Sequence, residues 1–171
     1  RQMCIRDSTY KVKDPSGVES DATNLTLTVQ GVNDAPEVTS NAVSFNGTED
    51  GSAVTGDLSS YASDPDTGSK LTYSVAAGGS PENGSLTVNA DGTFSYAPYL
   101  NFFGSDTFIF RVVDENGVAA TKTVSVDIAS VNDAPTVVNE AVELAADKSV
   151  VLRVLDNDTD IEGQDISLKL N

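Results

Sequence analysis

One pentapeptide occurs twice in this chain and sets the size of its folding units. Val32-Asn33-Asp34-Ala35-Pro36 returns as Val131-Asn132-Asp133-Ala134-Pro135, a period of about 100 residues. Two further segments, Tyr10–Val18 and Phe110–Val118, match each other at nearly the same offset. A unit of this length is the size of a small domain with one core, so the sequence predicts a tandem array of similar units.

The repeat divides the chain into four predicted parts. These are residues 1–8, a segment foreign to the repeats; 9–36, the C-terminal remnant of a first unit; 37–135, a complete unit; and 136–171, the N-terminal part of a third. The first eight residues contain the only Cys and the only Met. They resemble an in-frame translation of a transposase sequencing adapter, so we expect them to be non-native and exclude them from the fold prediction.

Alternation of apolar and polar residues predicts that the complete unit is built from strands. The apolar content is 39%, enough for a core despite a net charge of −16. The predicted inward positions are Leu86, Val88, Phe94, Tyr96, Phe108, Phe110, Val112, Val124, Val126 and Ile128. Earlier strands are predicted near 38–45, 53–58 and 71–75, and hairpin turns at Asp91-Gly92 and 114–117. Seven such strands predict an all-β fold, an antiparallel immunoglobulin-like sandwich.

These motifs resemble those of the bacterial cadherin-like or immunoglobulin-like tandem repeats of large secreted surface adhesins. The resemblance is carried by both VNDAP copies, by the run Asp91–Pro98 and by the segment Asn101–Gly117, and it covers essentially everything after residue 8. It implies tandem cadherin-like sandwiches, one complete and two truncated, in an extracellular protein. The repeats would form a stalk, with neighbouring repeats as partners and a cell-surface glycan or protein bound through other domains.

Acidic residues are predicted to gather at the first VNDAP copy. Asp64 and Asp66 lie between two strands, Asp114 ends another, and Asn33 and Asp34 belong to the junction. Calcium takes six to eight oxygen ligands at 2.3–2.6 Å, and an Asp-x-Asp pair can present two carboxylates to one ion. The calcium-binding cadherins place similar residues at similar points. The same Asp residues are also common in turns, where the side chain bonds its own backbone.

By the same analogy, a second calcium site is predicted at the second VNDAP copy. Its expected ligands are Glu49, Asn132 and Asp133, together with Asp158 and Asp160 of the third unit. The Asp-Arg-Glu element of cadherins is absent, with Asn101 near its place, which implies fewer or weaker ions at each junction. The run from Asp156 fails as an EF-hand, because its sixth and twelfth positions are Ile161 and Ser167.

Several classes of function are disfavoured by composition. The chain has no His, which removes His-dependent nucleophile pairs and the usual zinc sites, and only ten Lys and Arg, too few for a phosphate-binding face. No apolar stretch is long enough to span a membrane. A glycosidase with paired carboxylates is compatible with the composition, but the acids lie at turns and junctions, so we predict no enzyme.

Two non-catalytic functions remain open in the sequence. One is a spacer within an adhesin, and the other is a module that binds a carbohydrate or a protein through a sheet face or loops. Tyr61, Tyr99, Phe102 and Phe103 are the aromatic residues that the inward register leaves available for binding.

Overall fold

A computed structural model describes residues 4–169, excluding the side chain of Cys4. Its strands are β1 (Cys4–Tyr10), β2 (Thr23–Val29), β3 (Glu37–Val38), β4 (Ser44–Thr48), β5 (Val54–Asp57), β6 (Ala62–Ser63), β7 (Thr72–Val75), β8 (Gly84–Val88), β9 (Thr93–Pro98), β10 (Gly104–Val113) and β11 (Ala119–Ala129). A short 3-10 helix covers Ser59–Tyr61. Arg1–Met3, part of the segment predicted to be non-native, and residues 170–171 lie outside the described residues.

Residues 37–129, within the predicted complete unit, form a sandwich of two main sheets. One sheet has the strand order β4-β11-β10-β7 and the other has the order β5-β9-β8, while β3 and β6 form a small separate pair. Most neighbouring strands are antiparallel. The predicted all-β, antiparallel sandwich is therefore confirmed.

The core lies between the two sheets and contains eight of the ten positions that alternation points inward, whereas Leu86 and Val88 are only partly buried. Tyr96 and Phe110 are fully buried and Phe108 is 1% exposed. Phe94 is the centre of an aromatic group, with its ring centroid 4.8 Å from that of Phe45 and 5.3 Å from that of Phe108. The prediction that these rings form the core is confirmed.

The two predicted hairpin turns are present, and each requires a glycine. In the β8–β9 turn the Asn89 N–H donates to the Thr93 carbonyl at 2.8 Å, and Gly92 has a φ of 97°. In the β10–β11 turn Gly117 has a φ of 88°. A positive φ is strained for residues with a Cβ, so these glycines fix where each turn forms.

The first predicted strand, near residues 38–45, differs from expectation because it divides between two partners. β3 pairs with β6 in the antiparallel direction, whereas β4 pairs with β11 in the parallel direction. The backbone bonds show the change: the Thr39 N–H donates to the Tyr61 carbonyl, and the Val43 carbonyl accepts from the Ser125 N–H. Crossing from one partner to the other requires the bend at residues 40–41.

The flanking segments contain less regular structure. β1 and β2 form a two-stranded antiparallel ribbon, so residues 4–8 of the predicted foreign segment are paired with residues 25–29. Between residues 136 and 169, regular pairing is limited to one bridge, Thr136 with Thr159. Among residues 4–169, no helical segment has the length and apolar character that a membrane span requires.

Candidate metal centres at the two joints

We call the contact of residues 33–34 with the complete unit the first joint. The Asn33 side-chain amide donates to Asp114 Oδ2 at 2.7 Å, and the Asp34 N–H donates to Asp66 Oδ2 at 2.9 Å. Asp66 is tied to Asp64 in turn, since its N–H donates to Asp64 Oδ1 at 2.8 Å. The five residues that the sequence assigned to this junction are thus linked in one network.

Two carboxyl groups of the first joint are held in their charged form. The hydrogen bond from the Asn33 side chain, helped by backbone N–H groups of the β10–β11 turn, lowers the pKa of Asp114. The backbone hydrogen bond from Asp34 is the main cause that lowers the pKa of Asp66. Asp64 Oδ2 is buried and accepts no hydrogen bond from the described residues. A buried carboxylate oxygen without a donor is costly and is the kind of atom that a cation stabilises.

The second joint lies where the second VNDAP copy leaves the complete unit. Glu49 follows β4 and is 1% exposed, and its Oε1 accepts from the Val131 N–H at 2.6 Å. The Asp133 N–H donates to Glu162 Oε2 at 3.3 Å, and the Gln164 side chain donates to Asn132 Oδ1. The linker is therefore bonded on one side to the complete unit and on the other to the third segment.

Three carboxylates from three different segments meet at this second joint. Oxygens of Glu49, Asp133 and Glu162 all lie within 4.8 Å of one another. Glu49 Oε2, Asp133 Oδ2 and Glu162 Oε1 are buried and, within residues 4–169, accept no hydrogen bond. Like charges this close repel in a low-dielectric setting, and the spacing of these oxygens would let one cation contact all three carboxylates.

The third segment contributes Glu162, a residue that was absent from the sequence prediction. The Thr136–Thr159 bridge corresponds to the pairing of Glu37 with Ser63, which makes Asp160 the counterpart of Asp64 and Glu162 the counterpart of Asp66. The sequence prediction had instead named Asp158 and Asp160 as the ligands from the third unit.

The two predicted residues have contacts of their own. Asp158 Oδ1 accepts from the Val138 N–H at 2.8 Å, and Asp160 Oδ1 accepts from the Gln164 N–H at 3.0 Å. The available signal for Glu162 was its spacing, since Asp160 and Glu162 are separated by one residue as Asp64 and Asp66 are.

Asn101 lies at the second joint but is engaged through its backbone. It has a φ of 58°, and its N–H donates to Asp50 Oδ1 at 3.1 Å, next to Glu49 in sequence. Asn101 also lines the same cavity as Asp133 and Ile161. The loop between β9 and β10 is thereby fastened beside the carboxylate cluster.

This loop also carries the aromatic residues that the inward register left unassigned. Tyr99, Leu100 and Phe103 are 58%, 82% and 41% exposed, while Phe102 packs against the core. Tyr61 packs against the core as well, with its ring 6.2 Å from that of Phe45.

Comparison with known proteins places the chain in a family. The bacterial cadherin-like domain matches residues 33–130, more than half of the chain, and the protein belongs to that family. The matched region begins at the first VNDAP copy and ends just before the second. A comparison with curated protein sequences found no match.

Several solved structures share the fold at low identity. The extracellular domain of protocadherin gamma B4 is 21% identical, with a TM-score of 0.56, over 82% of this chain and 24% of that one. Domains 1–2 of human mucin-like protocadherin are 16% identical with a TM-score of 0.52, over 74% of this chain and 69% of that one. Domains 1–5 of protocadherin gamma B2 are 17% identical with a TM-score of 0.52, over 84% and 35%. The chain thus spans between a quarter and about two thirds of these relatives.

Proposed function

We propose that this chain is a spacer segment of a bacterial extracellular adhesin and that calcium stiffens the joints between its repeats. The observation that carries the proposal is the cluster of Glu49, Asp133 and Glu162, with one buried oxygen on each that accepts no hydrogen bond within the described residues. The role is mechanical and non-catalytic.

The positions of the three acids in the chain explain what a cation would do. Glu49 belongs to the complete unit, Asp133 to the linker and Glu162 to the third segment. One ion bound to all three would neutralise their repulsion and connect consecutive units. Without it, the same charges favour separation, so the joint bends more freely.

The available ligand atoms favour calcium over softer metals. Carboxylate and amide oxygens are the ligands of hard cations, whereas zinc and copper favour imidazole and thiolate. The chain has no His and a single Cys. The first joint offers the same chemistry through Asp64, Asp66, Asp114 and Asn33.

Titration of the chain with calcium in a calorimeter tests the proposal. The variant Glu49→Gln keeps an oxygen that can accept from the Val131 N–H but removes one charge from the cluster. We expect the second joint of this variant to bind calcium at least roughly tenfold more weakly, because affinity depends on the number of charged ligands.

The exposed acid Glu140 supplies the matched control, since Glu140→Gln removes one charge outside the cluster. We expect this variant to bind like the parent chain. Thermal unfolding of each variant without calcium identifies any loss of folding. The proposal fails if the folded parent chain binds no calcium at millimolar concentration, or if both variants weaken binding equally.

The exposed β9–β10 loop supports a second candidate, a module that binds carbohydrate or protein. Tyr99, Leu100 and Phe103 present a mixed aromatic and aliphatic surface, and aromatic side chains are common at binding surfaces. A glycan array probed with the parent chain and with Tyr99→Ala separates the candidates. Saccharide binding that Tyr99→Ala abolishes contradicts a pure spacer.

A further inference from the structure

The chain contains three Asn-Gly pairs, 46–47, 83–84 and 116–117. An Asn followed by Gly is the most reactive site for deamidation, because no side chain hinders the glycine nitrogen from reaching the Asn side-chain carbon. The reaction requires a backbone that can bring these two atoms together, so local structure decides which pair reacts.

Two of the pairs are held in place by packing. Gly47 lies inside β4, where an added Cβ would come 2.4 Å from Val54 Cγ2. Gly84 is buried, and the Asn83 N–H and carbonyl are both engaged, the N–H to Asp106 Oδ2 at 2.8 Å and the carbonyl to the Tyr99 N–H at 2.8 Å. Neither backbone can rearrange without disturbing the sandwich.

The third pair has more freedom and occupies the first joint. Asn116 and Gly117 are exposed in the β10–β11 turn, and open space surrounds the Cβ position of Gly117. The Asn116 N–H donates to Asp114 Oδ1 at 2.9 Å within the turn. The Gly117 N–H donates to the Asp114 carbonyl at 3.2 Å, a long hydrogen bond that must open for reaction. The Asn116 side-chain amide donates to Asn33 Oδ1, which connects the turn to the linker.

We propose that Asn116 is a deamidation site whose modification loosens the first joint. The deprotonated Gly117 nitrogen attacks Asn116 Cγ, a carbon–nitrogen bond forms, and the side-chain nitrogen leaves as ammonia. Water then opens the resulting succinimide at either carbonyl, which gives aspartate or isoaspartate. No oxidant or metal is required, and the proposal holds whether or not the joints bind a cation.

Both products replace a hydrogen-bond donor with a negative charge. The bond from Asn116 to Asn33 is lost, and a new carboxylate lies beside the buried carboxylate of Asp114. Since Asn33 also donates to Asp114, the change acts on the network that holds residues 33–34. The Asp34 N–H, bonded to Asp66, reports whether that network opens.

The test is to incubate the chain at mildly alkaline pH and to map the modified peptides by mass spectrometry. We expect the mass increase from amide to acid to arise first in the peptide containing Asn116, before those containing Asn46 and Asn83. In the presence of a chelator, solvent exchange of the Asp34 N–H measured by NMR should then be roughly two- to tenfold faster, the range expected for losing one hydrogen bond.

Two variants make the result specific. Asn116→Gln keeps an amide but reacts far more slowly, so its Asp34 exchange should not change on incubation. Asn116→Asp reproduces one product and should show fast exchange without incubation. The proposal is overturned if Asn46 or Asn83 reacts first, if Asn116 stays intact, or if Asp34 exchange is unchanged after Asn116 has reacted.

Discussion

At the scale of single residues, Asp106 shows how a buried charge can be structural. It is 5% exposed, and its carboxylate accepts from the Tyr96 hydroxyl at 2.9 Å and from the N–H groups of Asn83 and Thr107, both at 2.8 Å. Burial alone raises the pKa of Asp106, but these hydrogen bonds outweigh it and the pKa lies below its ordinary value. Burial is also the main cause that raises the pKa of Tyr96.

This network gives the stability of the complete unit a defined pH dependence. A carboxyl group whose pKa is lower in the folded state stabilises the fold above its unfolded pKa of about 3.9, and this contribution is lost as the pH falls through the folded pKa. We expect Asp106→Asn to lower the free energy of unfolding by about 1–3 kcal/mol at neutral pH. The difference from the parent chain should shrink below about pH 3.

Urea unfolding at several pH values measures this difference. Glu115→Gln, at an exposed position of the β10–β11 turn, is the control and should follow the parent chain at every pH. A difference that stayed constant from pH 7 to acid would mean that Asp106 acts through packing rather than through its charge.

At the scale of elements, alternation and turn residues predicted most of the complete unit. Phe108, Phe110 and Val112 point inward as their spacing requires, because a strand buried on one face must repeat every second residue. The division of the first strand into β3 and β4 was not predictable from its sequence, since it depends on which distant strands are available for pairing.

The sequence predicted the types of residue at the candidate sites, but it identified only part of the residues that meet at the second joint. Asn33, Asp34, Asp64, Asp66 and Asp114 are connected by hydrogen bonds as their positions suggested. Glu162 was missed because an acidic residue stands at every second position from Asp156 to Glu162, so spacing alone does not show which pair corresponds to Asp64 and Asp66. Only the Thr136–Thr159 bridge fixes the correspondence.

The register of β1 leads to a prediction about the native sequence. Ser8 pairs with Leu25, at the place where the complete unit pairs Phe108 with Val124. Arg6 pairs with Leu27, where the complete unit pairs Asp106 with Val126. Position 8 thus carries Ser where the complete unit has an apolar residue, and position 6 carries Arg where it has a hydrogen-bonded Asp, as expected if residues 1–8 are foreign to the repeat. We expect the native gene to encode an apolar residue at position 8 and Asp at position 6. Sequencing with primers that are independent of the adapter tests this, and an uninterrupted frame that still encodes Arg and Ser contradicts it.

At the scale of the whole molecule, the negative charge of the chain affects how the two joints behave. The net charge is −16, and several of the acids lie where the segments on either side contact the sandwich. Mutual repulsion of these acids opposes a compact joint, and a divalent cation bound between the carboxylates would reduce that repulsion directly. Monovalent salt screens exposed charges but acts much less on buried ones.

This difference predicts how the shape of the chain responds to ions. We expect calcium to narrow the distribution of interatomic distances measured by small-angle X-ray scattering, because a fixed joint samples fewer angles. Sodium chloride at equal ionic strength should have a smaller effect, and Glu49→Gln should reduce the response to calcium. If calcium and sodium chloride change the scattering equally, general screening accounts for the effect and a specific joint site does not.

The parallel pairing of β4 with β11 determines how one unit responds to tension. After the short β3–β6 pair the chain runs into β4, and it leaves the sandwich at the end of β11. These two strands run side by side from Ser44 with Ser125 to Thr48 with Ala129. A pull on both ends of the unit therefore slides these strands past each other, so that their hydrogen bonds share the load. An antiparallel pair at the same place would open one bond at a time, and it would yield to a smaller force.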